Sequence, residues 1–208
     1  MSALRRSLSL LFPAILIWLT AHADTLAGKD LIAALRTGGY VIVMRHASSP
    51  RTPPDAAHAN PDNIGHERQL DETGRSSARA MGEALRALRI PFGDVLSSPT
   101  YRALETLRLA GFEKVTTAPE LGDSGQSMQA DSSGARGAWV RSKVAQVPRR
   151  GTDTLMVTHF PNLREAFPEN VAGLGDGEAL IFVPDGHGGA SLVARVKIEE
   201  WPRLAANR

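Results

Sequence analysis

No cysteine occurs anywhere in the 208 residues. A disulfide framework, a thiolate nucleophile and any cysteine-based metal site are therefore excluded. A membrane-length apolar run is missing as well. The stretch over residues 8–20 has about 13 residues, against the ~20 that a helix needs to cross a hydrocarbon core. This short run follows Arg5 and Arg6 and is followed by Ala21-His22-Ala23, with small residues at the two positions a signal peptidase inspects. Residues 1–23 therefore read as a cleaved export signal, and residues 24–208 as a single domain, periplasmic or secreted. An uncleaved anchor or a core helix is the competing reading. Cleavage removes two arginines and no acid, so the 24 basic residues fall to the number of acidic ones, 22. With charge of neither sign in excess, nothing points to nucleic acid or to an anionic membrane as a partner. The remaining length suits one domain with a sizeable core.

No internal repeat, heptad run or interdomain linker is visible. Residues 27–35 have the spacing of a short amphipathic helix, stopped by Gly38-Gly39. Residues 40–44 form a continuous apolar, β-branched run, as expected of a strand covered on both faces. Residues 47–63 are rich in Ser, Pro, Ala, Asn and Asp and read as a long loop. A helix is expected from about Thr73, with Ala78, Met81, Leu85 and Leu88 as its buried face. Short strands are expected at 94–97, 115–117 and 154–158. Ser98-Pro99 should open a helix, 122–134 should be a loop, and 139–147 a helix. Residues 180–183 and 191–196 flank a turn-forming segment and predict a hairpin. Alternating strands and helices predict a three-layer α/β/α sandwich with a mostly parallel sheet and an antiparallel edge.

Two histidines occupy equivalent places. His46 follows the first apolar run, and His159 follows the strand expected at 154–158. Ligands of open α/β sheets bind beyond the carboxyl ends of the strands, so neighbouring strands would bring both imidazoles into one crevice. Consecutive side chains on a strand face opposite ways. Arg45 and His46 can therefore meet one ligand only if the chain leaves strand geometry there. Ser97-Ser98-Pro99-Thr100-Tyr101-Arg102 also follows a strand and opens a helix, whose free N–H groups favour an anion. Arg102, one turn in, can reach the same anion. Arginine forks match phosphate oxygens, a neutral imidazole can attack phosphorus, and cations stabilise the charge of the transition state. This chemistry requires no metal and no cofactor. Each signal alone is weak, since an Arg-His pair at a strand end is more often structural and a helical arginine is usually solvated. The set together points to a phosphoryl group.

These residues resemble the histidine phosphatase superfamily, also called phosphoglycerate-mutase-like. Val41-Ile42-Val43-Met44-Arg45-His46-Ala47 is similar to its Arg-His-Gly signature, with Ala47 in the glycine position. Ser97-Ser98-Pro99-Thr100-Tyr101-Arg102-Ala103-Leu104-Glu105-Thr106 resembles its second-arginine motif, and Val157-Thr158-His159-Phe160-Pro161-Asn162 its second-histidine motif. The stretch 68–75, and Gly177-Glu178 with the following strand, fit as well, so the likeness runs from about Gly39 to Trp201. The resemblance implies a phosphomonoester hydrolase working through a phosphohistidine on His46. Arg45, Arg102 and His159 would form the phosphate pocket, and Glu120 would be the leaving-group acid. For Glu120 an exposed loop glutamate is the competing reading. The substrate would be a small phosphorylated molecule or a phosphoprotein. A phosphoglycerate mutase, a protein-phosphohistidine phosphatase and a non-catalytic phosphate or phospholipid-headgroup binder are the alternatives.

Other patterns are weaker. His58, His66 and His187 lack the tight spacing of metal ligands. Gly173-Leu174-Gly175-Asp176-Gly177 lacks the lysine and hydroxyl of a P-loop and reads as a turn. Ser124 and Ser127 lack the strand-turn-helix context of a nucleophile elbow. Trp201 reads as an anchoring core contact.

Overall fold

The computed structural model describes residues 25–50, 67–123, 131 and 133–207. The proposed export signal, most of the 47–63 loop, His58, His66, Ser124 and Ser127 lie outside them. In chain order the elements are α1 (Gly28–Thr37), β1 (Val41–Arg45), α2 (Glu72–Ala87), β2 (Phe92–Ser97), α3 (Tyr101–Leu109), β3 (Thr116–Thr117), α4 (Ala135–Val144), β4 (Asp153–Thr158), α5 (Phe160–Ala166), β5 (Ala179–Pro184), β6 (Ala190–Val196) and α6 (Glu200–Ala206). The strands form one sheet in the order β3-β2-β4-β1-β5-β6. Its first four strands are parallel, and β5 and β6 add the antiparallel edge.

The alternation within β1 explains the layers. Ile42 and Met44 face a core shared with α1, α2, α3 and α6. Val41 and Val43 face a second core that holds Val140 and Val144 of α4 and Leu163 of α5. Helix α1, only 10 residues long, is too short to persist alone and depends on burying Leu31, Ile32 and Leu35. Gly38 then turns the chain at φ 76°, so close to the neighbouring strand that a Cβ would stand 2.4 Å from the Thr152 nitrogen. The face expected of α2 is buried in full: Ala78, Met81, Leu85 and Leu88. Trp201 is also buried, in the core that α6 shares with α2.

Several boundaries differ from expectation. Helix α4 starts four residues early because the Asp131 carboxylate gathers the Ser133 and Arg136 amides into its first turn. It ends at Val144, ahead of Pro148, which disfavours helix in the residue before it. Helix α3 starts at Tyr101, after Pro99, because the Ser98 amide is still bonded to the Val157 carbonyl of the sheet. Helices α5 and α6, seven residues each, were too short to leave a periodic signal.

At the sheet's other end, Asp153 is fully buried, and its Oδ1 accepts the Tyr40 amide at 2.9 Å. Its Oδ2 has no partner among the described residues. Burial raises its pKa to about 7, against 3.8 ordinarily. A raised carboxyl pKa means that the folded state holds the proton more tightly than the unfolded chain. The resulting stabilisation is complete below the ordinary value and is lost as pH rises through 7. Asp153→Asn, which cannot ionise, should therefore raise Tm by several degrees at pH 8 and lose that advantage towards pH 4. The ceiling is about 4 kcal/mol, and thermal melts across this pH range check it.

Candidate active site

The parallel pairing of β1 with β4 sets Arg45 opposite Thr158. Beyond it, the His46 amide donates to the Thr158 carbonyl at 3.0 Å. The chain leaves the strand at His46, which lets Arg45 and His46 address one cavity. On the other side of β4, Ser97 of β2 stands opposite Val157. Three carboxyl-terminal strand ends thus bring Arg45-His46, His159 and the Ser98–Arg102 segment together, as expected. The two imidazole centroids are 5.2 Å apart.

Both rings have their tautomers set by their neighbours. His46 Nδ1 donates to the Ala47 carbonyl at 2.8 Å. Its Nε2 is therefore the lone-pair nitrogen, and it accepts from Arg102 Nε at 3.2 Å and Arg68 Nη2 at 3.3 Å. His159 Nδ1 accepts from Arg102 Nη2 at 3.1 Å. Its Nε2 then carries the proton and donates to Ser98 Oγ at 2.9 Å. The Ser98 hydroxyl passes on to Thr100 Oγ1 at 3.1 Å. Burial foremost, then the Arg102 charge, hold both imidazoles well below the usual histidine pKa, so both are neutral near pH 7.

Arg102 lies deeper than the sequence suggests. It is fully buried beneath both rings and ion-paired with the equally buried Asp123 at 2.6 Å. The cavity itself, about 580 Å³, is lined by Arg45, His46, Arg68 and His159 together with Phe160, Pro161, Arg164 and Leu174. Arg45 pairs with Asp176 at 2.7 Å, which places a residue of the expected glycine-rich turn beside the site. That turn also supplies the Gly177 amide to the His46 carbonyl at 2.9 Å.

The start of α3 differs from expectation. Its Tyr101 amide is taken by Glu67 Oε2 at 2.5 Å, so a protein carboxylate occupies the place expected for a bound anion. A carboxylate favours this place for the reason an anion would, the positive end of the helix. Glu120 sits in the turn Pro119–Leu121 and is half-buried. Asn162 Nδ2 ties this turn to α5 through the Glu120 and Gly122 carbonyls, at 3.3 and 2.6 Å. The Glu120 carboxylate is not among the described groups lining the cavity.

The motifs acquire reasons. Thr106 accepts the Ala47 amide at 3.1 Å and donates to the Arg102 carbonyl at 2.8 Å, joining two motif segments. Asp71 caps α2 through the Gly74 amide and accepts from Ser48 Oγ at 2.7 Å. A Cβ on Gly74 would lie 2.1 Å from the Ser48 carbonyl oxygen, so only glycine permits this approach. Ala47 has ordinary negative φ, and its methyl costs no backbone strain. Sequence reasoning did not single out Arg68, Glu67, Asp123, Asp176 or Arg164. Arg68 stood within the stretch resembling the family's approach to its second helix and Asp176 within the glycine-rich turn, whereas Glu67, Asp123 and Arg164 carried no local signal. No cluster of three or more His, Cys, Asp or Glu suited to a metal occurs among the described residues, and His187 sits at an exposed hairpin turn.

The family profile described as Histidine phosphatase superfamily (branch 1) matches residues 41–125. No curated protein matches the chain. Among solved structures, the protein histidine phosphatase SixA complexed with tungstate is 19% identical, with 77% of this chain and 98% of that chain covered and a TM-score of 0.55. A candidate alpha-ribazole-5'-P phosphatase from Escherichia coli K-12 is 16% identical over 74% of this chain and 95% of that one, with a TM-score of 0.56. Phosphoserine phosphatase from Entamoeba histolytica, in complex with 3-phosphoglyceric acid, is 17% identical over 75% and 95%, with a TM-score of 0.50. At these identities the structures speak for a shared fold. The profile match covers the first histidine, both arginine motifs and the first three strands. In sequence profile over this segment and in fold, the chain is similar to the histidine phosphatase superfamily.

Proposed function

We propose that the protein hydrolyses phosphomonoesters in two steps with His46 as the nucleophile. The observation that carries this reading is the His46 ring itself. Its Nδ1 proton is held by the Ala47 carbonyl, while its Nε2 lone pair faces two guanidinium groups. A phosphate ester entering the cavity gives those donors new acceptors. Its equatorial oxygens take over the Arg68 and Arg102 hydrogen bonds, which frees the lone pair to attack phosphorus. The P–O bond to the leaving group breaks as the N–P bond forms, and the leaving oxygen takes a proton. Water then attacks phosphorus and returns one proton to the group that protonated the leaving oxygen, the N–P bond breaks, and inorganic phosphate leaves with His46 Nε2 again unprotonated. His159 and Arg45 help to hold the transferring group, and Asp123 keeps the Arg102 fork in place.

Glu120 is the proposed proton donor, supported by its place on the turn that Asn162 ties to α5, the helix that His159 precedes. Only poor leaving groups need a donor. Purified protein should therefore release phenol from an aryl phosphate ester, and Glu120→Gln should slow an alkyl phosphate ester on the order of 10²-fold while slowing the aryl ester far less. Phosphate binding without turnover of either ester in the unmodified protein would leave a binder instead. Equal slowing of both esters in the variant would remove Glu120 from the role. Export is the remaining part of the proposal, supported by the cationic start, apolar run and Ala21-His22-Ala23. Expressed with its full N-terminus, the protein should have an intact mass that begins at Asp24. A mass that retains residues 1–23 would overturn cleavage.

A further inference from the structure

Phe160, the residue directly after His159, has two cations near its ring. Arg45 Cζ and Arg164 Cζ each lie 5.9 Å from its ring centroid. The two guanidiniums are therefore no further apart than twice that distance, and both line the catalytic cavity. Their situations differ. Arg45 is neutralised by Asp176 at 2.7 Å. Arg164 is exposed, and no carboxylate among the described residues pairs with it. The adjacent acid, Glu165, is turned away and packs against Gly134 and Gly137 at α4. Helix α5 thus presents a planar five-donor fork to the cavity, with no paired carboxylate among the described residues. Phe160, Pro161 and Leu174 supply apolar surface in the same cavity.

We propose that Arg164 is a specificity residue which selects phosphomonoesters whose leaving group carries a second anionic group, such as a carboxylate. The phosphoryl group sits against His46, the body of the leaving group lies along Phe160 and Leu174, and the second anion meets the Arg164 fork. This reading rests on the phosphatase function proposed above. A neutral leaving group gains nothing from an uncompensated guanidinium, whereas an anionic one gains a charge-assisted, bidentate contact. An ammonium-bearing leaving group would be repelled.

The test compares phenyl phosphate with 3- and 4-carboxyphenyl phosphate and with 4-(aminomethyl)phenyl phosphate, in the unmodified protein and in Arg164→Gln. The readout is the ratio of kcat/KM for the carboxylated ester to that for phenyl phosphate, since differences in leaving-group chemistry cancel when this ratio is compared between proteins. Arg164→Gln should lower the ratio by about three- to tenfold for the better-placed carboxylate. It should also relax discrimination against the aminomethyl ester. Arg164→Lys, which keeps the charge and loses the fork, should retain part of the preference. Ratios that are the same in the unmodified protein and in Arg164→Gln would overturn the assignment of Arg164 while leaving the phosphatase reading intact. Failure of the unmodified protein to turn over phenyl phosphate itself would remove the reading on which the proposal rests.

Discussion

Replacing His46 with alanine is expected to lower kcat/KM for an aryl phosphate ester on the order of 10³-fold or more and to eliminate a phosphoenzyme that acid destroys and alkali preserves. The size follows from the loss of the attacking atom. Among the described residues, His46 Nε2 is the ring nitrogen whose lone pair lies between Arg102 and Arg68, whereas His159 Nε2 donates to Ser98 and its Nδ1 accepts from Arg102 alone. The variant retains that cationic cradle, so it should still bind inorganic phosphate. Retained binding with lost turnover separates a missing nucleophile from a collapsed site. In the unmodified protein, the acid limb of the pH profile should fall below the ordinary imidazole range, because burial and then Arg102 depress the His46 pKa. Turnover of the variant at the unmodified rate would sink the assignment, as would an acid-stable phosphoenzyme.

Asp123→Ala should carry the largest stability cost of the changes considered. The Arg102–Asp123 pair has no solvent exposure on either side chain and a separation of 2.6 Å. Removing the carboxylate leaves a fully buried guanidinium without its carboxylate, a change that typically costs about 3–5 kcal/mol. For a chain of this size that lowers Tm by roughly 10 °C. Inorganic phosphate supplies a replacement negative charge close to Arg102. It should therefore raise Tm more in Asp123→Ala than in the unmodified protein, by the mass-action stabilisation any native-state ligand provides. A Tm within about 2 °C of the unmodified protein, the scale of an exposed ion pair, would show that Arg102 does not depend on this carboxylate. An equal phosphate effect in both proteins would break the link between the pair and the site.

The site was legible in proportion to how local its signals are. His46 and His159 could be placed because each ends an apolar run of five or six residues, and such runs announce strands. The Ser97–Thr106 motif could be placed because strand, turn and helix start follow within ten residues. Arg102 was recognised but set too shallow: its depth depends on Asp123, a residue in a polar, glycine-bearing stretch with nothing local to distinguish it. The Glu67 contact with Tyr101 was invisible for the same reason, since 34 residues separate the partners. It reversed the expectation of a vacant helix start.

The sequence alone determined the layered α/β architecture, the strand ends that bear Arg45, His46 and His159, and the resemblance to the histidine phosphatase superfamily, because alternation of apolar residues and short ordered motifs are properties of neighbouring positions. Only the tertiary structure decided which imidazole nitrogen is free, that Arg102 works from beneath with Asp123, and that Arg68, Asp176 and Arg164 join the cavity. Those outcomes depend on which strands become neighbours and on how burial forces each charge and each ring nitrogen to find a partner. A linear order of residues does not state these distances.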